Sequence, residues 1–280
     1  MTWWWCLLLF AFAFAFAAAI FFTLLRAAST RHLFQGLMMG NVQVKLKKQS
    51  ASTIMTHSIN QSLPLKVNTP IFVLNLPKSG TTTIWRYFQC GLGQDRAVHW
   101  WTTQNGNRIG SCIERNVRFQ KPPLQGCGEF DVWVDFGNVN QRADTCFFPG
   151  VHALEALYRA YPNATFLLIQ RDLEAWYQSA KSWGNMFYKW KKHCRSSFFP
   201  NQTALGQTIR NQEFKQFYQW HTEHIRQFAR EHPDMTYLEP TNLKLSSKKI
   251  SSWLEEHIGI SAQCWSKCQP DEHSAICTPR

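Results

Sequence analysis

Two groups of residues in this sequence have the types and spacing to hold an anion. The first is Leu76-Pro77-Lys78-Ser79-Gly80-Thr81-Thr82, which follows the apolar run Ile71-Phe72-Val73-Leu74-Asn75. A tight loop between a strand and a helix turns backbone N–H groups and the positive helix end toward one point, an anion cradle. Gly80 lets the backbone approach a phosphate closely; Ser79, Thr81 and Thr82 add hydroxyl donors and Lys78 a mobile positive charge. Lysine precedes the loop's glycine by two positions, so this is not the G-x-x-x-x-G-K-[ST] loop of nucleoside triphosphatases. Val132-Trp133-Val134-Asp135 could pass for the strand that accompanies such a loop, which keeps a P-loop kinase using ATP and Mg²⁺ as an alternative. Taken alone, the loop also reads as an ordinary turn.

The second group narrows that choice. The run Thr165-Phe166-Leu167-Leu168-Ile169 ends in Gln170-Arg171-Asp172, and Ser179 stands eight positions after Arg171. An arginine at the carboxyl end of a strand lies on the edge where open α/β sheets bind ligands. Its planar guanidinium holds a phosphate through two parallel hydrogen bonds, and a hydroxyl two helical turns on can share that phosphate. Alone, Arg171 would pair with Asp172 or Glu174 on the surface. Two anion-binding features in order fit one ligand with two separate phosphate groups.

The elements that must carry these groups follow from the periodicity. Apolar runs at 71–76 and 165–169, with shorter ones at 132–134 and 235–238, predict buried parallel strands. Helices are expected over 82–90, stopped by Gly91, and over 151–161, 173–183, about 204–230 and 249–257. Residues 91–128 are glycine-rich and read as irregular. Strands alternating with helices predict an α/β fold, a three-layer sandwich with a central parallel sheet and helices on both faces.

The chain has 280 residues with 30 Lys+Arg against 18 Asp+Glu, a net charge of +12. Such a balance attracts anions of several kinds. No helix-turn-helix, zinc-finger or RNP-type signature is present and the basic residues are scattered, so no nucleic-acid partner is expected. Trp3 to Leu25 is 23 residues without a charge, long enough to span a bilayer, although Ala17-Ala18-Ala19 and Ala27-Ala28 also offer signal-peptide cleavage sites. Residues 1–25 are therefore expected to be a membrane anchor or signal peptide, 26–68 a polar stem, and 69–280 the folded domain. Basic residues after the apolar run favour a cytosolic domain. Eight cysteines beyond it, and sequons at Asn60, Asn163 and Asn201, favour an oxidising lumen. Together they point to a glycosylated, disulfide-bonded lumenal domain held at the Golgi membrane, or secreted if the segment is cleaved.

The loop and the Arg171/Ser179 pair resemble those of sulfotransferases that use 3′-phosphoadenosine 5′-phosphosulfate (PAPS), a P-loop NTPase-like α/β family. Lys78-Ser79-Gly80-Thr81-Thr82 is similar to the family's loop for the 5′-phosphosulfate, and Arg171 and Ser179 to its 3′-phosphate pair. The stretch Arg171-Asp172-Leu173-Glu174-Ala175-Trp176-Tyr177-Gln178-Ser179 is similar to a branch with the motif R-D-x-E-x-W-Y-x-S. The resemblance spans about 70–260. It departs at Thr83, where cytosolic members carry the tryptophan that stacks on adenine; here Trp85 comes two places later. The resemblance implies transfer of a sulfuryl group from PAPS to a hydroxyl or amine acceptor, with a glycan as the expected acceptor and no metal required. It gives Lys78 the leaving oxygen to stabilise. For the base, Val98-His99-Trp100-Trp101 resembles a segment near the site of related enzymes, so His99 is the first candidate; Asp144 is the second, with Glu129, Asp135 and His152 behind. Cys264, Cys268, His273 and Cys277 could form a metal cluster but read better as disulfide cysteines. A fold relative that has lost catalysis is the remaining alternative.

Overall fold

The computed structural model describes residues 65–100, 108–198, 209–241, 248–265, 267–268 and 277–278. Five short strands form one parallel sheet: β1 (Ile71–Val73), β2 (Ala97–His99), β3 (Val132–Val134), β6 (Thr165–Leu167) and β7 (Thr236–Leu238), in the order β2-β3-β1-β6-β7. β1 is central, with Phe72 opposite Trp133 of β3 on one side and Phe166 of β6 on the other. From β1 the chain goes to the edge strand β2, returns inward to β3 beside β1, and then crosses to β6 and outward to β7, so the topological switch lies between the carboxyl ends of β1 and β6. That is where an open α/β sheet leaves a crevice.

Alternation along the strands divides the core between the two faces. Phe72, Val98, Trp133 and Phe166 point to one face, where they meet α2 (Ile109–Arg118), α4 (Leu154–Ala160) and Ile225 of α8 (Asn211–Glu231). Ile71, Val73, Ala97, Val132, Val134 and Leu167 point to the other, against α1 (Thr81–Leu92) and α9 (Lys248–Ile258). With both faces covered, the inner strands β1 and β3 carry apolar residues at every position, which is why their sequence runs lack a polar alternate. The expected three-layer α/β sandwich is therefore the observed fold.

A third apolar cluster sits beside the crevice. It joins α5 (Leu173–Lys181), α6 (Asn185–His193), α7 (Arg195–Phe198) and the first half of α8 to a hairpin of β4 (Asn138–Asn140) and β5 (Thr145–Phe147). Trp176 stacks on Phe214 and Tyr218 with ring centroids 5.0 and 4.4 Å apart.

Several expectations are corrected. α1 runs through Gly91 and ends at Gly93, whose φ is 105°. Gly91 lies inside the helix, and it is packing that requires glycine there, since a Cβ would lie 2.3 Å from the Ile260 side chain. The stretch 91–128 is not irregular: it holds β2 and α2, and α2 carries its core residues Ile109, Cys112 and Ile113 at helical spacing. The helix expected over 151–161 is broken at Ala153 into α3 (Pro149–His152) and α4. The long helix begins at Asn211, and 204–208 lie outside the described residues.

Three disulfides tie the layers: Cys90–Cys264, Cys112–Cys127 and Cys146–Cys194. The metal cluster weighed for Cys264, Cys268, His273 and Cys277 is not formed by Cys264, which is bonded to Cys90. In the two-residue ladder of β8 (Lys267–Cys268) and β9 (Cys277–Thr278), Cys268 stands opposite Cys277 in register. No helix among the described residues is long and apolar enough to cross a membrane; Trp3–Leu25 and the sequons at Asn60 and Asn201 lie outside them.

Candidate active site

The chain leaves β1 through Leu74, Asn75 and Leu76, and Asn75 fixes that exit. Its buried amide donates to the Ile169 carbonyl, and its Oδ1 accepts from the Ile169 N–H at 3.0 Å. The ends of β1 and β6 are thus held together just before both chains turn. The loop then curls through two left-handed positions, Lys78 (φ 70°) and Gly80 (φ 86°), into α1. Gly80 is the N-cap and supplies no side chain to the first helical N–H groups. These donors have no partner within a helix, so the 12-residue α1 opens with its positive end free for an anion.

Two elements from across the sequence buttress the loop. The Trp176 indole donates to the Pro77 carbonyl at 3.0 Å, and Arg171 Nη1 donates to the Lys78 carbonyl at 2.8 Å. Arg171 is placed in turn by Tyr218 of α8, whose hydroxyl accepts from the Arg171 N–H at 3.0 Å and donates to its carbonyl at 2.7 Å. Sequence reasoning missed Trp176 and Tyr218 in these roles. Their spacing marked them as helix residues, and nothing local shows which backbone a ring nitrogen or hydroxyl reaches.

The charges here are unbalanced. Burial, followed by the nearby Arg171 guanidinium, lowers the Lys78 pKa, and Asp135 opposes them only partly. The surface pairing considered for Arg171 is not made. Asp172 caps α5 by accepting from the Ala175 N–H at 2.9 Å, and Glu174 pairs with Lys215. Two cations share one loop with, among the described residues, a single buried carboxyl nearby, an arrangement that favours a multiply charged anion. Ser79, 1% exposed, makes no well-formed hydrogen bond through its Oγ, although the Tyr218 hydroxyl is close enough to feel it. Such an orphaned hydroxyl on an anion loop suits a ligand oxygen. Ser179 lies near the end of α5, half-buried; no hydrogen bond joins it to Arg171. Thr82 is in the first turn of α1.

The proposed bases separate. His99, at the end of β2, places Nε2 3.2 Å from Thr81 Oγ1 and 3.5 Å from Asp135 Oδ2. Thr81 Oγ1 is itself 3.4 Å from Asp135 Oδ2. His99 therefore joins the loop cluster, with its ring stacked on Trp85 at 5.3 Å. Trp85 is held by its indole N–H on the Ala97 carbonyl at 2.9 Å and is a wall for His99. Asp144 is elsewhere: it sits in the β4–β5 turn at φ 49°, exposed, and pairs with His193 of α6. Glu129 is exposed in the loop before β3, and His152 Nδ1 accepts from the Phe148 N–H at 2.9 Å. Asp135 is the residue that sequence order undervalued. It follows β3 directly, in a left-handed conformation at φ 51°, and faces the same loop.

Burial raises the Asp135 carboxyl to about 7, against the Thr81 hydrogen bond and the Lys78 charge, which lower it. Burial lowers His99 to about 4, helped by Arg86. His99 is thus neutral near pH 7, and Asp135 titrates there.

Two spaces open beside the loop, and Pro77 and Asp135 border both. One, about 250 Å³ including space open to solvent, is lined by the loop and by His221. The other, about 370 Å³ including space open to solvent, lies between the loop and residues that include Phe148, Trp183, Met186 and Trp190, with Arg108 among its lining. Among the described residues, no group of three or more His, Cys, Asp or Glu is placed to hold a metal ion.

Comparison with known proteins gives one match: the family model described as "Sulfotransferase domain" covers residues 70–241. No curated protein and no solved structure matches the chain. The matched span runs from the start of β1 to just past β7, and so contains the loop, Asp135, Arg171 and the whole parallel sheet. The chain belongs to the sulfotransferase family, and its activity is that of a transferase.

Proposed function

We propose that the protein transfers a sulfuryl group from PAPS to a hydroxyl or amine acceptor. The observation that carries this reading is the convergence of two cations from different strand ends on one crevice: Lys78 in the loop after β1 and Arg171 beyond the end of β6, which donates to the Lys78 carbonyl. A donor with phosphate groups at both its 5′ and 3′ positions needs both sites, whereas a nucleoside triphosphate has one contiguous chain. The N–H groups of Gly80, Thr81 and Thr82, with the Ser79 hydroxyl, would bind the 5′-phosphosulfate; Arg171 and Ser179 would bind the 3′-phosphate.

In the transfer, an acceptor oxygen or nitrogen forms a bond to sulfur as the bond from sulfur to the bridging phosphate oxygen breaks. That oxygen keeps the electron pair, and Lys78 is the cation placed to stabilise it. The acceptor's proton passes to a base beside the loop. The His99–Thr81–Asp135 cluster supplies that base in preference to Asp144, which is committed to His193.

One observation favours a second reading. A loop threonine facing a carboxylate at the end of the neighbouring strand, as Thr81 faces Asp135, is also how P-loop kinases hold Mg²⁺. Transfer of labelled sulfate from PAPS separates the two. The wild-type chain transfers without Mg²⁺, and Lys78→Ala lowers the rate by about 100-fold or more. A chain that uses only ATP with Mg²⁺ contradicts the reading.

We also propose a lumenal or secreted location. The three disulfides support it, as does the exposed Asn163 sequon in the turn between α4 and β6.

A further inference from the structure

The loop's lysine rests on an aromatic face rather than on a carboxylate. We propose that Trp183 is the positioning residue for the Lys78 ammonium, holding it over the indole beside the loop so that its N–H groups stay free for the oxygen that leaves sulfur. The inference rests on the sulfuryl-transfer reading above and adds to it a residue that acts on the leaving group only through Lys78.

The place of Trp183 follows from α5. Trp176 and Trp183 stand seven positions apart, close to two helical turns, so they share one face. Helical geometry continues past Lys181: Ser182 has φ −77° and ψ −1°, and the Trp183 N–H donates to the Ala180 carbonyl at 3.1 Å. That face therefore meets the loop at two points. The Trp176 indole donates to the Pro77 carbonyl at 3.0 Å, and the Lys78 ammonium lies over the Trp183 ring, 5.1 Å from its centroid. Trp190 sets the Trp183 ring in turn, packing against it at 90° with centroids 5.7 Å apart. Lys78 itself has a left-handed backbone, φ 70°, and Arg171 holds its carbonyl, so its side chain leaves the loop in a fixed direction.

The contacts of Lys78 separate it from two other lysines that lie over rings. Lys215 is over Tyr177 and pairs with Glu174; Lys191 is over Phe187 and donates to Asn211 Oδ1 at 3.2 Å. Lys78, half-buried, makes no hydrogen bond or ion pair through its ammonium among the described residues. A carboxylate partner would neutralise the charge and occupy its donors, and the leaving oxygen would have to displace it. A ring face attracts the cation through its quadrupole and takes no proton from it. The same attraction opposes burial and the Arg171 charge, both of which favour the neutral amine. Of the charged groups that line the larger space beside the loop, Arg108 and Asp135, only Asp135 favours the ammonium.

The test begins without any nucleotide. Competitive acetylation of the full chain from about pH 7 to 11, read by mass spectrometry at Lys78, titrates the amine directly. Without the ring's attraction, burial and Arg171 pull the amine further toward its neutral form. Trp183→Leu, which keeps apolar bulk, should therefore bring the Lys78 midpoint to lower pH by about half a unit or more, and Trp183→Phe, which keeps a ring face, should move it less. A polyfluorinated tryptophan at position 183 keeps the shape and withdraws charge from the ring face. It should move the midpoint as Trp183→Leu does, and it reads the contact even where Trp183→Leu fails to fold. Calorimetry with 3′,5′-ADP, whose 5′-phosphate carries the leaving oxygen, then asks whether Trp183 acts through Lys78. Trp183→Leu should weaken this nucleotide about 3- to 10-fold in the wild-type background and less than about 2-fold in Lys78→Ala. Equal losses in both backgrounds, or a Lys78 midpoint that the fluorinated ring leaves in place, overturn the proposal. A chain that binds no 3′,5′-ADP although the midpoint moves overturns the donor reading and, with it, the role of Trp183 in transfer.

Discussion

Arg171 illustrates what a single residue can and cannot announce. Its position after an apolar run was enough to place it at the carboxyl end of a strand, and the structure has it on the loop through the Lys78 carbonyl. The Tyr218 hydroxyl that fixes its backbone is 47 positions away and carries no local mark. The same limit explains Asp135 and Asp144. Both are acidic residues after short strands, and in sequence they look alike. Only the sheet order, which puts β3 beside β1, brings Asp135 to the loop and leaves Asp144 in a hairpin turn. If Arg171 holds the 3′-phosphate, Arg171→Ala should weaken 3′,5′-ADP by about 10- to 100-fold, the worth of a charged hydrogen-bonded pair. Binding of 5′-AMP, which lacks that phosphate, should change little. Competition binding of the two nucleotides measures the difference; equal losses for both would assign Arg171 to the loop alone.

At the scale of elements, the sequence disclosed those whose apolar pattern is long or continuous. The strands β1 and β6 and the helices α1, α5 and α9 stand within a few residues of expectation, because burial on both sheet faces or along one helix stripe leaves a plain signature. The elements missed are β2, β4, β5, α2, α6 and α7: the three strands have three residues each, and α6 and α7 owe much of their burial to aromatic partners distant in the chain. α5 shows how such packing reaches the site. Trp176 is fully buried between Phe214 and Tyr218 and spends its one N–H on the Pro77 carbonyl. Trp176→Phe keeps most of the packing and deletes that bond. It should cost about 1–3 kcal/mol of stability in chemical denaturation, because the Pro77 carbonyl loses its partner. It should also raise the KM for PAPS by loosening the loop. An unchanged KM would show that α5 supports the fold but not the loop.

For the whole molecule, disulfides and glycosylation bear on the same question of compartment. Six cysteines are paired, and four of them (Cys112, Cys127, Cys146 and Cys194) are buried, a usage suited to an oxidising lumen. A chain expressed in its own secretory pathway should lose mass on glycosidase treatment through Asn163; an unglycosylated chain recovered with reduced cysteines would contradict the lumenal proposal. The fold class was legible because strands and helices alternate, and the Lys78 loop and Arg171 because they lie in two short stretches. The space beside the loop was not, because Asp135, Phe148, Trp183 and Trp190, which line it, converge from separate elements.

The central claim is that the crevice at the end of β1 binds a nucleotide carrying both 3′- and 5′-phosphate groups. Calorimetry of the full chain with 3′,5′-ADP in the presence of a metal chelator tests it most directly. One-site binding without Mg²⁺, tighter than that of 5′-AMP and unaffected by added ATP with Mg²⁺, is the predicted result. No binding of 3′,5′-ADP, together with Mg²⁺-dependent binding of ATP, would contradict the account.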